Sequence, residues 1–457
     1  MSERAAGRPG LAGGIVARPW LLVFLPVNAA ASSFSVALPL LILFTFHGNI
    51  LEVALASTLY NFAVIPASLI WGFVCDRLGV RSPLLLLNYV SFAVLFLVLA
   101  ARPSLPTLLA AYMAFGFVAP SSAAASNLLI LERFSPEERP SAYASFSELS
   151  MIGNVLGVLL GFVWLVSSPA GEGLIDILYI STAAALTSAV GVALFIRDPP
   201  VHHPRATRAT LARHPESLDA RLRLYFPFFP KLPTLGSFRR IVRWLEEEAT
   251  LEVPLMLAAG FFFGLGSSIF NTSYAPYMVS VSVAASGIFL VNLSNSAAQA
   301  LVLPFTGRAC EGGKSPSVVQ LASWGRVVSY ASVFGLALLP AVLFDRNAVL
   351  GINILAYGII GVTYAFYSTS SSLLLFRSLE GRSAGSLLGA NSALGGLAAV
   401  LGAAASGVAS HDLGYDVTFA LSAALVAVAV PAWLLAVRSF QRRTAHQLTR
   451  TGAPQRG

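Results

Sequence analysis

The sequence has few charged residues, and this shortage excludes most soluble classes of protein. Only 11% of the 457 residues are charged, whereas 56% are hydrophobic; soluble domains carry about 25% charged residues. Cys75 and Cys310 are the two cysteines, so neither a disulfide framework nor a Cys/His metal cluster is expected. The histidines have no carboxylate or cysteine at metal-ligand spacing. We therefore expect a membrane protein without metal, cofactor or catalytic residues.

Apolar segments long enough to cross a membrane recur along nearly the whole chain. About 20 apolar residues span the roughly 30 Å hydrocarbon core of a bilayer. Twelve such segments are predicted, at 20–43, 51–74, 83–101, 107–131, 142–167, 174–196, 253–277, 283–305, 320–344, 347–375, 384–409 and 417–437. The predicted fold class is an all-α integral membrane protein with twelve transmembrane helices.

The basic residues predict the orientation of these spans. With twelve spans, every Lys and Arg except Arg102 and Arg346 falls on one side of the membrane. Basic residues near span ends stay in the cytoplasm, so both termini are expected there. The net charge of +8 then reflects loops beside anionic headgroups, and it does not indicate a nucleic-acid partner. The first apolar run is too long for the core of a cleavable signal.

The two halves of the chain carry traces of a duplication. The pattern Gly-x-x-Cys-acid follows the second span at Gly72–Asp76 and the eighth span at Gly307–Glu311, and Ser-Pro follows each copy. Paired repeats place a substrate site at the interface between them, near the middle of the membrane. The predicted domains are a tail at 1–19, a six-helix bundle at 20–197, a cytoplasmic linker at 198–250, a second bundle at 251–437 and a basic tail at 438–457.

Within the linker, residues 239–248 alternate bulky apolar residues with charged ones at helical spacing. This pattern is typical of an amphipathic helix on the inner membrane surface. A plain tether between the two halves is an equally good interpretation.

The segment after the second span resembles a loop motif of the major facilitator superfamily, Gly-x-x-x-Asp-(Arg/Lys)-x-Gly-x-(Arg/Lys)-(Arg/Lys). The matching residues are Gly72, Asp76, Arg77, Gly79 and Arg81. Ser82 departs from the motif at its last basic position. The resemblance implies a fold of two pseudo-symmetric six-helix bundles and secondary transport by alternating access.

The resemblance also implies a gating role for this motif. In the family, the acid and the first basic residue contact the eleventh helix and an acid at the end of the fourth. Asp76 is then expected near the start of the span at 384–409, and Arg77 is expected to reach Glu132, with Glu311 as the equivalent acid of the second half. The alternative is that these charges only anchor the loop at the membrane interface.

Three glycines, Gly153, Gly157 and Gly161, lie four apart in the fifth span. They are similar to the family's antiporter motif Gly-x-x-x-Gly-Pro-x-x-Gly-Gly, although Val158 and Phe162 depart from it. Small residues at this spacing also allow close helix packing, which is the favoured interpretation.

Charge in the membrane interior bears on the substrate. No Lys or Arg is expected in the middle of a span, because Arg326 would lie close to an inner end. A buried anion needs a buried cation, so a neutral substrate is expected. Glu148 lies about two turns into the fifth span and is a candidate for proton coupling. A structural hydrogen bond, with Asn391 as one candidate partner, is the alternative role for Glu148.

Neutral polar residues in the spans are candidates for binding the substrate. Many buried amides bond across helices, because an amide in apolar surroundings needs a partner. The candidates are Asn28, Ser32, Ser122, Asn271, Tyr274, Tyr357, Tyr364 and Asn391.

The predicted function is secondary active transport of a small neutral or partly apolar molecule, with export favoured and proton coupling left open. A facilitator or proton symporter for a neutral nutrient, such as a sugar or nucleoside, is the alternative. A polytopic membrane enzyme or a non-transporting receptor is a remote alternative. We expect a monomeric, multi-pass protein of the plasma membrane, with a small-molecule substrate, the lipid bilayer and, if transport is coupled, a proton as its partners. Neither substrate nor direction follows from the sequence.

Overall fold

The computed structural model describes residues 19–78, 81–135, 138–168, 173–196, 198, 252–338, 346–378 and 384–451. In these segments, twelve helices are long and apolar enough to cross a membrane, which confirms the predicted fold class. They are α1 (Phe24–Leu40), α2 (Ile50–Leu78), α3 (Ser82–Ala101), α4 (Leu105–Arg133), α5 (Arg139–Ser167), α6 (Gly173–Phe195), α7 (Glu252–Ser280), α8 (Ala285–Ala309), α9 (Ser315–Leu338), α10 (Arg346–Ser378), α11 (Ala384–Asp412) and α12 (Tyr415–Thr451). A 3-10 helix at Pro19–Val23 and a π-helix at Leu41–Thr45 flank α1, and together they form a first span of Trp20–Thr45. Of the predicted linker at 198–250, Asp198 is described and the remainder, including 239–248, lies outside the described residues.

Short-range hydrogen bonds fix where α2 begins. The backbone N–H of Leu51 donates to Asn49 Oδ1 at 2.8 Å. The backbone N–H of Asn49 in turn donates to Glu52 Oε2. This reciprocal arrangement is a capping box, which satisfies backbone donors that the first helical turn leaves without partners.

Packing divides the chain into two compact units. Unit 1 comprises Met1–Leu41 and Pro66–Pro230, and unit 2 comprises Ile42–Ile65 and Lys231–Gly457. The boundary inside α2 falls at Pro66, where the missing N–H removes one hydrogen bond from the helical ladder. The first part of α2 therefore packs with unit 2 and the remainder with unit 1. The predicted limits of tails, bundles and linker stay predictions.

Both units repeat one set of helix pairings. In unit 1, α1 packs on α5 and α6, and α3 packs on α4 and α6. In unit 2, α7 packs on α11 and α12, and α9 packs on α10 and α12. Each of these helices thus pairs like the helix six places later, which confirms the predicted pseudo-symmetry.

Glycines allow the closest of these contacts. A Cβ at Gly157 of α5 would lie 2.1 Å from the carbonyl oxygen of Ala29 in α1, and one at Gly153 would lie 2.5 Å from another carbonyl of α1. In unit 2, a Cβ at Gly402 of α11 would lie 2.8 Å from the carbonyl oxygen of Leu265 in α7. The packing interpretation is therefore confirmed for Gly153 and Gly157.

The ninth span begins earlier than the sequence analysis expects. The predicted span is 320–344, whereas α9 runs over Ser315–Leu338, because Ser315 and Pro316 already form its first turn. Proline is well suited to that turn, since its fixed φ matches the helix and its missing N–H needs no partner there. Arg326 consequently lies near the middle of α9 and is buried. The expectation that no basic residue lies in the middle of a span is wrong.

Gly157→Ala is expected to lower the free energy of unfolding by about 2 kcal/mol, because the added methyl group forces α1 and α5 apart. Thermal and denaturant unfolding of the purified protein in detergent measures this change. Gly351→Ala in α10 is the matched control, since nothing lies within 4 Å of its added Cβ. Equal effects of the two substitutions would contradict the close-contact explanation.

Candidate functional site

A charged cluster lies at one end of unit 1, where α2, α3 and α4 meet. Arg81 precedes α3, and its Nη2 lies 2.6 Å from Oε1 of Glu132, near the end of α4. The Arg81 side chain is only 7% exposed, whereas that of Glu132 is 33% exposed. Arg81 Nη1 also donates to the carbonyl oxygen of Cys75 in α2. One guanidinium thus joins the ends of three elements.

Asp198, just after α6, joins this cluster. Its Oδ1 accepts from the backbone N–H groups of Arg81 at 2.9 Å and Ser82 at 2.8 Å. A carboxylate in this position satisfies free donors at the start of α3 and complements the positive end of the helix dipole. The sequence analysis missed Asp198, although an acid before Pro199 at the end of an apolar span was an available signal.

Arg133 lies beside the same acid. Burial lowers the pKa of its guanidinium, and the negative charge of Asp198 acts in the opposite direction. Its Cζ lies 5.1 Å from the centre of the Trp20 ring, which is a cation–π contact. The cluster therefore also includes the start of the chain's first membrane-spanning segment.

The predicted motif residues are only partly described. Gly72, Asp76 and Arg77 lie in the last turns of α2, but their side chains fall outside the described part of the chain, as does the whole of Gly79. Glu132 forms an ion pair with Arg81. The predicted contacts of Asp76 and Arg77 stay predictions.

The equivalent segment of unit 2 follows α8. Glu311 opens a short 3-10 helix, Glu311–Gly313, and is exposed. Cys310 is buried, as is Cys75 at the equivalent place in unit 1. The carbonyl oxygen of Cys310 accepts from Ser315 Oγ at 3.4 Å, whereas that of Cys75 accepts from Arg81. The repeat therefore keeps the buried cysteine but uses a neutral donor in unit 2.

Glu148 lies in α5 and is half-buried. Within unit 1, no described residue forms a hydrogen bond or ion pair with its carboxylate. Its place inside a membrane-spanning helix keeps it a candidate for proton coupling.

Two of the substrate-binding candidates belong to the aromatic core of unit 2. The rings of Tyr274 and Tyr357 stack with their centres 4.4 Å apart, and both side chains are buried. The Tyr274 hydroxyl donates to Asn353 Oδ1 at 2.8 Å. These two tyrosines therefore pack α7 against α10.

The remaining candidates are more accessible. Asn28 donates to the carbonyl oxygen of Phe24 within its own helix at 2.7 Å. Ser32 and Ser122 are half-buried, and the exposed candidates are Asn271, Tyr364 and Asn391. Tyr364 has a further role in unit 2, because its ring centre lies 5.5 Å from Cζ of the buried Arg326.

Comparison with known proteins agrees with this architecture. The sequence profile described as Major Facilitator Superfamily matches residues 20–244. A curated relative, the citrinin biosynthesis cluster MFS transporter mrr1 of Monascus ruber, is 26% identical over 201 residues. That match covers 43% of this chain and 39% of the length of the relative.

Solved structures share the fold along nearly the whole chain. A crystal structure of a point mutant of the nucleoside transporter NupG has a TM-score of 0.62 at 11% identity and covers 92% of this chain and 99% of its own. A bacterial homolog of the human lysosomal transporter Spinster has a TM-score of 0.58 at 16% identity, covering 96% and 99%. These relatives are named as transporters and not as enzymes. With twelve apolar helices in two equivalent units and the Gly72–Arg81 motif, the chain belongs to the major facilitator superfamily.

Proposed function

We propose that the protein is a secondary transporter that moves a small, partly apolar molecule across the plasma membrane by alternating access. The observation that carries this proposal is the repeated set of helix pairings in the two units. Two internally packed bundles can move as bodies about a substrate site, which is how transporters with repeated halves work. The boundary between the units falls at Pro66, inside the helix that contributes to both, where the missing N–H weakens the helical hydrogen bonding.

Export is the favoured direction, and both termini are proposed to be cytoplasmic. The similarity to a transporter of a biosynthesis cluster supports export, and the distribution of basic residues supports the orientation. Uptake of a nutrient such as a nucleoside is the second candidate. The likeness to the NupG structure favours it, and this likeness is one of fold.

The charged cluster of unit 1 supports a gating role. Arg81 is nearly enclosed, and Glu132, Cys75 and Asp198 hold it from three directions. A charge network at the end of a moving helix bundle can form in one state and break in the other. We assign it the stabilisation of one of the two access states, together with Asp76 and Arg77 of the same motif.

Transport itself is tested by counterflow into proteoliposomes, which needs no ion gradient. The probes are benzoate, benzamide, phenylacetate, phenylacetamide and uridine, each labelled and preloaded in turn. Protein-dependent exchange of an aromatic probe is expected, whereas exchange of uridine alone would favour the nutrient candidate. Exchange of no probe above protein-free liposomes would contradict both.

Arg81→Glu and Glu132→Arg are each expected to change the balance of access states by about fivefold, equivalent to ~1 kcal/mol, with partial recovery in the double variant. Recovery is partial because a glutamate at position 81 cannot donate to the Cys75 carbonyl. The readout is the labelling rate of a Ser32→Cys variant by an impermeant maleimide added to either side of the membrane. The natural cysteines give little background because both are buried.

Arg102→Glu, at an exposed position after α3, is the matched control and is expected to leave the labelling ratio unchanged. If Arg81→Glu lowers the unfolding temperature but leaves this ratio as it was, the cluster has a structural role only and the gating assignment is wrong.

Glu148→Gln is expected to abolish transport driven by a pH gradient while counterflow continues, because the amide cannot carry a proton. Both rates are measured in the same proteoliposomes, with and without an imposed gradient. Glu138→Gln, an exposed acid just before α5, is the control and should keep both. Gradient-driven transport that survives Glu148→Gln would remove this residue from the coupling mechanism.

A further inference from the structure

Arg326 is a buried cation in the middle of a membrane-spanning helix. It lies near the midpoint of α9, Ser315–Leu338, and is 3% exposed. An ionised side chain in this environment is costly by several kcal/mol unless it is paired. Ionisable residues inside membrane-spanning helices are rare and usually have a function.

The described contacts of Arg326 are with polar and aromatic groups. Its Nε donates to the Tyr330 hydroxyl at 2.9 Å, and its Nη1 donates to the carbonyl oxygen of Ile360 in α10. Its Cζ lies 5.0 Å from the ring centre of Tyr330, 5.5 Å from that of Tyr364 and 5.8 Å from that of Phe263. These distances are within the range of cation–π contacts, which stabilise the cation.

No carboxylate among the described residues forms an ion pair with Arg326. This contrasts with Arg81, the buried arginine of unit 1, which pairs with Glu132. A guanidinium has five N–H donors, and the two hydrogen bonds of Arg326 to described residues use the donor of Nε and one donor of Nη1. Three donors, including both of Nη2, therefore remain for another acceptor.

A comparable link between the corresponding helices of unit 1 is made by a neutral side chain. Asn88 of α3 donates to the carbonyl oxygen of Val118 in α4 at 2.9 Å, just as Arg326 of α9 donates to Ile360 in α10. Phe92 follows Asn88 by four residues, as Tyr330 follows Arg326. A neutral amide thus provides the link between equivalent helices in unit 1. The positive charge of Arg326 is therefore not needed for a hydrogen bond between these helices.

Tyr364 gives access to the guanidinium. It is 42% exposed, although it contacts the buried Arg326. Leu355, also exposed, lies nine residues earlier in α10, so at about 100° per residue the two side chains point to opposite sides of the helix. Tyr364 therefore links the buried guanidinium to the exposed surface of α10.

We propose that Arg326 binds the carboxylate of a monoanionic substrate whose apolar or aromatic body packs on Tyr364. One uncompensated guanidinium matches one negative charge, and its remaining donors suit a planar carboxylate. The Tyr364 ring offers a face for the apolar body of the ligand. The proposal rests on the proposed transport function and narrows its substrate class. It also replaces the expectation of a neutral substrate, which depended on Arg326 lying near a span end.

Matched acids and amides test this proposal on the purified full-length protein. Benzoate and phenylacetate are compared with benzamide and phenylacetamide, which keep the ring but lose the charge. The apparent Kd of each is measured from its effect on the unfolding temperature, because a ligand that binds the folded state stabilises it. The acids are expected to bind at least about tenfold more tightly than the amides.

Arg326→Gln is expected to remove this preference, since it keeps an amide donor like Asn88 but loses the charge. Arg326→Lys should retain part of it, because it keeps the charge but lacks the planar fork. Arg308→Gln, which removes an exposed cation of the same unit, is the control and should leave the preference unchanged. Tyr364→Leu should weaken binding of acids and amides alike.

Equal or absent stabilisation by acids and amides in the natural protein would overturn the proposal, as would a preference that survives Arg326→Gln. If Arg326→Gln does not fold, the comparison of the natural protein with Arg326→Lys decides. Counterflow separates this result from the transport proposal. Exchange of amides but not acids would support transport and contradict the anion site. Binding of acids without exchange of any probe would support the anion site and contradict the proposed transport.

Discussion

The membrane interior offers neither hydrogen-bond partners nor solvation for charge, and the structure depends on this constraint. Backbone groups that cross hydrocarbon must be satisfied inside the helices. Many hydroxyls follow the same rule by donating to a carbonyl of their own helix, as Thr58 does to Ala54 and Ser323 does to Val319, both at 2.7 Å. A helix rich in serine and threonine can therefore remain compatible with the bilayer, and its polar residues need not indicate a substrate site.

For the same reason, the free-energy cost of an ionised side chain depends on where it lies in the structure. The Arg81 cluster lies at the end of unit 1, where Glu132 is partly exposed and Asp198 binds backbone donors. Charges there cost little free energy, which suits the proposed exchange of partners between access states. Arg326 lies in the middle of α9, where its described contacts are with dipoles and aromatic rings. A cation held at such cost by neutral groups can accept a substrate's charge, whereas a fully paired one could do so only by breaking its ion pair.

Hydropathy predicted the number of spans because this depends on length and average polarity, and the repeated Gly-x-x-Cys-acid pattern predicted the two halves. Hydropathy failed for Arg326 because the predicted span starts five residues after α9 does, which places that residue near the end of a span instead of near the middle of the helix. Averaged hydropathy locates the centre of an apolar segment but not the first residue of its helix. The start of the helix depends on local sequence, here Ser315-Pro316. Asp198 and the Arg81–Glu132 pair escaped prediction for another reason: they join segments far apart in sequence. Tyr274 and Tyr357 were placed in a site because composition cannot tell a core tyrosine from an accessible one.

The aromatic cores show how the repeated units differ. In unit 1 the core rings of α1, α3 and α4 include Phe34, Phe92 and Phe115. On the equivalent helices of unit 2, the core contains Tyr274, Tyr330 and Tyr357. Each buried hydroxyl costs roughly 1–3 kcal/mol unless it finds a partner, so packing alone does not explain this change.

The hydroxyls do, however, make a buried charge tolerable. Tyr330 accepts from Arg326, and Tyr274 binds Asn353 in the same core. The core of unit 2 therefore supplies Arg326 with a hydroxyl acceptor among its aromatic rings. The two proposals accordingly divide the roles between the units: recognition of the substrate's charge is assigned to Arg326 in unit 2, and control of movement is assigned to the charged cluster at the end of unit 1.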